Sequence, residues 1–307
     1  MNNNLKKYIK SLLCNLGMSW LINTIKTVMG WLHCSIYCPA RRVIRLVCSY
    51  MVFVFRGKAD TSTVRSRKII SLLCPTRQRV NESMRFIQSV YRTAAHPDRV
   101  EIQFYVDSDD ACLEGYRRLE SIVKRRFRYF MRCDVHTGDP MSISKSWNIL
   151  ARVSKGDILV MSNDDQVFVD YGWDVVLDNE SRVYRDDIYC LWFNDGTGNK
   201  DKCISPMVSR TWYTTLGYFT PGIFEFYCND FWIWHIAEEI GRSRYIPGIM
   251  VEHIHYAYNK ARIDDTYRRH LEGSGQDRIL RDAALFQRTG DDRKKDAAKL
   301  KKVIEGA

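Results

Sequence analysis

Three clusters of polar side chains each follow an apolar stretch that has the length and composition of a β-strand. The clusters are Cys74–Arg79, Asp107–Asp110 and Ser162–Asp165. When strands alternate with helices, the sheet is mostly parallel and its ligand crevice lies at the carboxyl ends of the strands. We therefore expect the three clusters to meet at one edge of a sheet and to form a single site.

The acids of the second and third clusters predict a site for a divalent cation and a phosphate group. Crowded carboxylates repel one another unless a cation or hydrogen-bond donors neutralise them. Carboxylate oxygens suit Mn²⁺ or Mg²⁺, which complete their coordination with phosphate oxygens and water. A cation that bridges a diphosphate also stabilises the negative charge that develops as the diphosphate leaves. The clusters therefore favour a reaction that breaks the bond between a sugar and a phosphate.

The elements that must position these clusters alternate between strand and helix from Lys68 onwards. Short apolar runs predict strands, and segments with a helical repeat predict helices. The predicted strands are Ile69–Leu73, Val100–Val106, Tyr129–Val135 and Asp157–Met161, and the predicted helices are Asn81–Ala94, Leu113–Arg125 and Ser142–Val153. The alternation predicts an α/β fold with a doubly wound, mostly parallel sheet.

Residues 68–256 resemble the GT-A glycosyltransferases of the family 2 type. Pro75-Thr76-Arg77 matches the loop after the first strand, which in that family contacts the nucleotide. The second strand of the family ends in an acid that reads the base, for which Asp107 is the first choice and Asp109 the second. The resemblance implies a GT-A-type, Rossmann-like domain that binds a nucleotide at the first two strand ends.

The passage Lys155–Asp165 resembles the strand that leads into the DxD motif of these enzymes. Asn163 stands where the family has the first Asp of that motif. The resemblance implies that Asn163 contacts the ribose, that Asp165 ligates the metal and that Asp164 assists. Asn-Asp-Asp is also an ordinary turn sequence, but here it follows a predicted strand and two other strand-end clusters.

Two further positions take their roles from the resemblance. Inverting members carry an acid at the start of a helix, where it deprotonates the acceptor, and Asp230 before the predicted helix Phe231–Ile240 is the candidate for this base. An Asp before an apolar run is equally a good helix cap, so both roles stay open.

Many GT-A enzymes use a late histidine as a metal ligand, with His255 the first choice here and His253 the second. Histidines on a strand also commonly serve as plain hydrogen-bonding residues.

The resemblance implies transfer of a sugar from a nucleoside diphosphate sugar to an acceptor hydroxyl, assisted by Mn²⁺ or Mg²⁺ and with inversion if the base is correctly assigned. Nucleotidyl transfer is one rival, but its phosphate loop is usually rich in glycine and Cys74–Arg79 contains none. The other rival is a non-catalytic module that binds a membrane or a nucleic acid and keeps a degenerate nucleotide pocket, since Asn163 departs from the DxD motif.

The basic charge of the chain lies in its N-terminal segment. Of the net charge of +11, residues 1–67 contribute +10, from 11 Lys and Arg against Asp60 alone. Apolar residues repeat at helical spacing from Leu5 to Leu32, and Val43–Phe55 is almost wholly apolar. Basic amphipathic helices of this kind lie on anionic membrane surfaces or pack on the protein body. Both alternatives are open.

Composition divides the chain into a basic helical arm at 1–57, a polar linker at 58–67, a domain at 68–260 and a C-terminal segment at 261–307 that predicts a solvated helix. The resemblance implies that the domain at 68–260 is of the GT-A type. The ten cysteines show neither metal-type spacing nor a disulfide scaffold, which favours a reducing compartment. No apolar run reaches the roughly 18 residues of a spanning helix. We expect a cytoplasmic protein that is peripheral on the inner face of a membrane. The acceptor is then a membrane-linked glycan, or modified DNA if the arm binds nucleic acid.

Overall fold

The computed structural model describes residues 28, 32, 36–57, 67–197, 200–272 and 274–307. The helical pattern between Leu5 and Leu32 and the linker at 58–67 fall almost wholly outside these residues. The strands are β1 (Ile70–Thr76), β2 (Val100–Asp107), β3 (Arg132–Gly138), β4 (Ile158–Met161), β5 (Gln166–Phe168), β6 (Cys190–Asn194), β7 (Met207–Ser209) and β8 (Ser243–His253).

The helices cover most of the remaining described chain. They are α1 (Cys38–Gly57), α2 (Val80–Thr93), α3 (Leu113–Arg126), α4 (Ile143–Val153), α5 (Trp173–Ser181), α6 (Arg210–Leu216), α7 (Asn229–Glu239), α8 (Asp265–Leu271), α9 (Ser274–Arg288) and α10 (Gly290–Glu305), with short 3₁₀ turns at Pro97–Arg99 and Tyr256–Tyr258.

The strands form one sheet in the order β3-β2-β1-β4-β7-β6-β8-β5. Strand β1 pairs in parallel with β2 and β4, and β2 pairs in parallel with β3. Strand β7 is antiparallel to β4 and β6, and β5 is antiparallel to β8. This confirms the predicted α/β fold with a mostly parallel sheet, and the strand order agrees with a GT-A-type, Rossmann-like domain. The antiparallel strands β5 and β7 have three residues each, too few for a pattern to predict them.

Helices cover both faces of the sheet, which explains why its central strands are mostly apolar. Leu72 belongs to the core under α2, α3 and α5, and Leu73 belongs to the core under α4, α6 and α7. Successive side chains of a strand point to opposite faces. Strand β1 therefore contributes to both cores.

The turn before β4 is fixed by a buried carboxylate. Glu101 Oε1 accepts hydrogen bonds from Ser71 Oγ at 2.6 Å and from the backbone N–H groups of Lys155 and Gly156 at 2.5 and 3.1 Å. A Cβ on Gly156 would lie 2.0 Å from Ser71 Oγ, so only glycine fits there. The turn sets where β4 begins, and thereby where Asn163–Asp165 emerge at its end.

The C-terminal segment differs from the predicted solvated helix. It forms α8, α9 and α10, and Phe286, Ala297 and Leu300 are buried in the same core as Trp232 of α7. In the sequence, the many charged residues of the segment mask the pattern of these few apolar residues. Asp282 on α9 is also buried and accepts the backbone N–H groups of Glu225, Phe226 and Tyr227 at 3.1, 2.7 and 2.7 Å.

Helix α1 packs on the body, one of the two alternatives open for the arm. Arg42 pairs with the buried Glu252 at 2.5 Å, and Arg45 pairs with the buried Asp170. Tyr171 N donates to Ser49 Oγ at 2.8 Å. No helix among the described residues is long and apolar enough to cross a membrane. The boundaries proposed at 57, 68 and 261 stay predictions.

The loop before α7 gives a first testable prediction. Replacing Asp282 with Ala removes the buried carboxylate that three backbone N–H groups share, and we expect the free energy of unfolding to fall by about 2–4 kcal/mol. Urea unfolding measures this change. The matched control is Asp277→Ala on the exposed side of the same helix, which should change stability by less than about 0.5 kcal/mol. Equal effects of the two substitutions would contradict this role of Asp282.

Candidate active site

The three strand-end clusters meet in one cavity of about 800 Å³ at the carboxyl ends of β1, β2 and β4. Nine of the ten predicted site residues line it: Pro75, Thr76, Arg77, Asp107, Asn163, Asp164, Asp165, Asp230 and His255. The tenth, Asp109, lies outside the lining, with its side chain 54% exposed, and pairs with Arg77 at 2.6 Å. The sequence therefore predicted which side chains gather here, while their roles stay predictions.

The acid pair Asp164 and Asp165 is buried and contacts protein donors. Asp164 accepts hydrogen bonds from Thr76 Oγ1 at 2.6 Å and from Arg79 Nη1 at 3.1 Å. Asp165 Oδ2 accepts one from Tyr267 Oη at 2.8 Å. Asp165 Oδ1 is buried without a well-aligned hydrogen bond, and its charge partner is His253 Nε2 at 3.1 Å. The pair is thus neutralised mainly by one arginine and one histidine.

The pKa values of the two carboxyls shift in opposite directions. Burial raises the pKa of Asp164 above its usual value, although Arg79 opposes the shift. Burial alone would raise the pKa of Asp165 too, but the charge of His253, with Arg79 and Tyr267, holds that pKa well below its usual range. Asp165 is therefore the firmly ionised member of the pair.

Arg79 links the acid pair to the C-terminal segment. Its Nε and Nη2 donate to both oxygens of Asp264 at 2.9 Å, and its guanidinium lies 4.1 Å from the ring centre of Tyr267. Asp264 in turn caps α8 by accepting Tyr267 N at 2.8 Å. The strand-end cluster contains Arg79, but its role was not predicted, because Asp264 and Tyr267 lie far along the chain.

The loop after β1 is shaped so that Arg77 and Arg79 reach different partners. Gln78 between them has a φ of +56°, and its N–H donates to the buried Asp110 at 2.8 Å. Arg79 turns to the acid pair, while Arg77 pairs with Asp107 at 2.7 Å and with Asp109. Three of the residues assigned to the nucleotide, Arg77, Asp107 and Asp109, are therefore linked by ion pairs.

Asp230 lies in the first turn of α7, in the cavity wall. The residue that caps this helix is Cys228, whose φ is +68° and whose side chain makes no capping bond. Asp230 accepts only the neighbouring Phe231 N–H at 2.9 Å. The capping role that the sequence left open for Asp230 is therefore not what the structure shows. Burial raises its pKa to about 6, with the Phe231 N–H acting in the opposite direction.

The two late histidines differ in charge and in contacts. Burial disfavours the charged form of His253, yet Asp165 raises its pKa above the usual value. Burial and the charge of His253 lower the pKa of His255 to about 4. Their rings are 5.0 Å apart, and His255 Nδ1 accepts Ala257 N–H at 3.2 Å. The residue that reaches Asp165 is thus His253, the second choice, and metal contact by His255 stays a prediction.

The cavity contains an oxygen that can ligate a cation and a carboxyl that can accept a proton. Within the described residues, no group of three His, Cys, Asp or Glu side chains forms a metal site. Asp165 Oδ1 is nevertheless a buried, ionised oxygen at the cavity wall with no well-aligned donor. Asp230 is a carboxyl whose raised pKa suits general base catalysis near neutral pH.

No protein-family model and no curated protein matches the chain in sequence. Among solved structures, the chain is similar to the mannosyltransferase PcManGT from Pyrobaculum calidifontis in complex with GDP-Man and Mn²⁺, at 10% identity and a TM-score of 0.48 over 80% of this chain and 84% of that one. It is also similar to GalNAc-T7 with UDP, GalNAc and Mn²⁺, at 15% identity and a TM-score of 0.49 over 62% of this chain and 44% of that one.

A third similar structure is a fragment of S. aureus TarS in complex with UDP, at 10% identity and a TM-score of 0.45 over 58% of this chain and 57% of that one. The chain thus spans less than two thirds of the GalNAc-T7 and TarS chains that it matches. At these identities and TM-scores, we argue the function of the chain from its own residues.

The ion pair between His253 and Asp165 predicts a pH-dependent stability. Because the folded pKa of His253 is raised, its contribution is fully present below its ordinary pKa of about 6.5 and is lost as the pH rises through the folded value. We expect His253→Gln to lower the free energy of unfolding by about 3 kcal/mol at low pH and by less as the pH rises.

Urea unfolding of the wild type and the variant, at pH values below and above the ordinary histidine pKa of about 6.5, measures the effect. The control is a double-mutant cycle with Asp165→Asn, in which removing His253 should cost much less. A loss of stability that is the same at every pH, with or without Asp165, would contradict the ion pair.

Proposed function

We propose that this protein is a glycosyltransferase that moves a sugar from a nucleoside diphosphate sugar to an acceptor hydroxyl. The observation that carries the proposal is that three kinds of group line one cavity. They are Arg77 and Asp107 at the ends of β1 and β2, the acid pair Asp164 and Asp165, and the separate carboxyl of Asp230, whose pKa is raised. A sugar donor needs contacts to its nucleotide, a means to stabilise its diphosphate, and a base for the acceptor. The cavity supplies residues of each kind.

The donor is proposed to bind with its nucleotide at the ends of β1 and β2. Arg77, held by Asp107 and Asp109, is placed to contact the nucleotide, and the free hydrogen-bonding capacity of Asp107 suits the N–H groups of a base. Asn163 at the end of β4 is assigned to the ribose. The sugar then extends along the cavity toward Asp230.

A divalent cation, Mn²⁺ or Mg²⁺, fits beside Asp165. Its oxygen Oδ1 has no well-aligned hydrogen bond, and such ions need only one or two protein carboxylates when phosphate oxygens and water complete their coordination. We assign Asp165 as the main ligand, with His255 as the first choice for the nitrogen ligand that Mn²⁺ accepts, because its lowered pKa keeps it neutral; His253, the second choice, would first have to lose the proton that pairs it with Asp165. When bound, the ion would stabilise negative charge on the leaving diphosphate.

Asp230 is proposed as the base that accepts the proton of the acceptor hydroxyl. With a pKa of about 6, it is largely ionised at neutral pH and still basic enough to take a proton in the transition state. The acceptor oxygen bonds to the anomeric carbon as the bond from that carbon to the diphosphate breaks. Attack from the side opposite the leaving group gives inversion.

The acceptor is proposed to be a glycan linked to a membrane, with the protein in the cytoplasm and peripheral on the inner face of that membrane. A DNA acceptor would use the same basic arm through phosphate attraction. Identifying the product separates the remaining rivals. Sugar on the acceptor supports the proposal, nucleotide on the acceptor indicates nucleotidyl transfer, and no product with any donor indicates a non-catalytic module.

The base assignment gives a test with two readouts. We expect turnover of the wild type to fall as the pH drops below about 6, because protonation of Asp230 removes the base. Asp230→Asn should lower kcat by about 100-fold or more and leave the donor Kd nearly unchanged. Donor binding is followed by calorimetry and turnover by release of the nucleoside diphosphate.

The matched control is Glu239→Gln, a carboxyl at the exposed end of the same helix, which should keep both kcat and the pH profile. Full turnover by Asp230→Asn would sink the assignment of the base. A parallel loss of donor binding and turnover would show that Asp230 serves binding instead.

A further inference from the structure

Helix α1 turns its apolar side chains toward solvent. Val43, Ile44 and Val47 are 61%, 63% and 56% exposed, and Met51 and Val54 continue the same stripe at 48% and 37%. Positions 43, 47, 51 and 54 recur at the helical repeat, so these side chains form one continuous face. A helix packed on a soluble body normally has the opposite arrangement, with its apolar face inward.

The orientation of α1 is fixed by buried charges. Arg42 and Arg45 point into the body, where they pair with Glu252 and Asp170, both of which are nearly inaccessible to solvent. Turning the apolar face inward would remove the arginine partners of both buried carboxylates, leaving Glu252 with Lys260 and Asp170 with the Met250 N–H, and the loss of a buried ion pair is unfavourable. The ion pairs of Arg42 and Arg45 therefore hold the apolar face of α1 toward solvent.

A face of this kind marks an interaction surface. Contiguous exposed apolar patches on a soluble body commonly mark protein or membrane contacts. The described residues that precede α1 include further large apolar side chains that are at least 38% exposed: Val28, Leu32, Ile36 and Tyr37. The partner must therefore cover the apolar face of α1.

Charge indicates which partner fits. Residues 1–59 contain nine Lys and Arg and no Asp or Glu. Arg42 and Arg45 pair with acids of the body. A second copy packed on this face would bring two such acid-free segments together, and the like charges would oppose the contact. A surface of anionic lipids instead offers apolar chains to the stripe and negative headgroups to the cations.

We propose that the outer face of α1 docks into the interfacial layer of an anionic lipid bilayer. This inference does not depend on the proposed glycosyl transfer. Glu252, which holds Arg42, directly precedes His253 on β8. Docking therefore sets the orientation of the cavity relative to the lipid surface, and an acceptor carried by that surface would reach the cavity from a fixed direction.

The test is sedimentation of the full chain with phosphatidylcholine vesicles, with and without about one third phosphatidylglycerol. The wild type should bind the anionic vesicles and release as salt rises. The double variant Val47→Glu, Met51→Glu should lose binding by about tenfold or more, because it places charge on the inserted face. The matched control is Val183→Glu, which makes the same change at a 59% exposed valine on the body and should bind as the wild type does.

A second variant tests the charge contribution without touching α1. Replacing Lys6, Lys7 and Lys10 with Gln should weaken binding to anionic vesicles and reduce its salt dependence. Thermal unfolding confirms that each variant is folded. Wild-type binding by the Val47→Glu, Met51→Glu variant, or no binding by the wild type, overturns the proposal. A dimer in light scattering that this variant dissociates overturns it too, and assigns the face to a second copy.

Discussion

The site depends on the neutralisation of two adjacent buried carboxylates. Asp164 and Asp165 lie beneath the edge of the sheet, and without partners their mutual repulsion and burial would be strongly unfavourable. Arg79 and His253 supply the compensating charge. These residues come from the loop after β1 and from β8, and Tyr267 of α8 adds a hydrogen bond. One electrostatic requirement thus ties the β1 loop, β8 and the C-terminal segment to the end of β4.

This arrangement changes what a metal ion would do here. The sequence predicted that a cation would neutralise the acids, whereas in the structure protein groups already balance them. In the proposed function, an arriving diphosphate adds negative charge next to Asp165, which is held ionised. The cation would then mainly compensate the diphosphate. Asp165 Oδ1 is the oxygen with the most capacity for it: it contacts His253 as a charge partner but accepts no well-aligned hydrogen bond, whereas the other three oxygens of the pair accept hydrogen bonds from protein donors.

The sequence predicted the parts of the site that follow from strand order. Thr76, Asp107 and Asp165 were expected together because parallel strands place their carboxyl ends at one edge of a sheet. Contacts over long sequence separations had no local signal: Arg79 meets Asp264 across 185 residues. The buried stripe of α9 and α10 was likewise masked by surrounding charged residues, and the three-residue antiparallel strands were too short to recognise. The direction in which α1 faces was set by Glu252 and Asp170, which no pattern within the helix reveals.

The central claim, that a nucleoside diphosphate sugar binds at this edge of the sheet, is tested most directly by thermal unfolding with a panel of nucleoside diphosphates and their sugars. The account predicts that the nucleoside diphosphates carrying one particular base, and their sugars, raise the unfolding midpoint of the wild type by about 5 °C or more at saturation. Mn²⁺ should enlarge the shift, and Asp165→Asn, itself expected to lack turnover, should lose that enlargement. No shift of the wild type with any nucleotide, with or without Mn²⁺, would contradict the account.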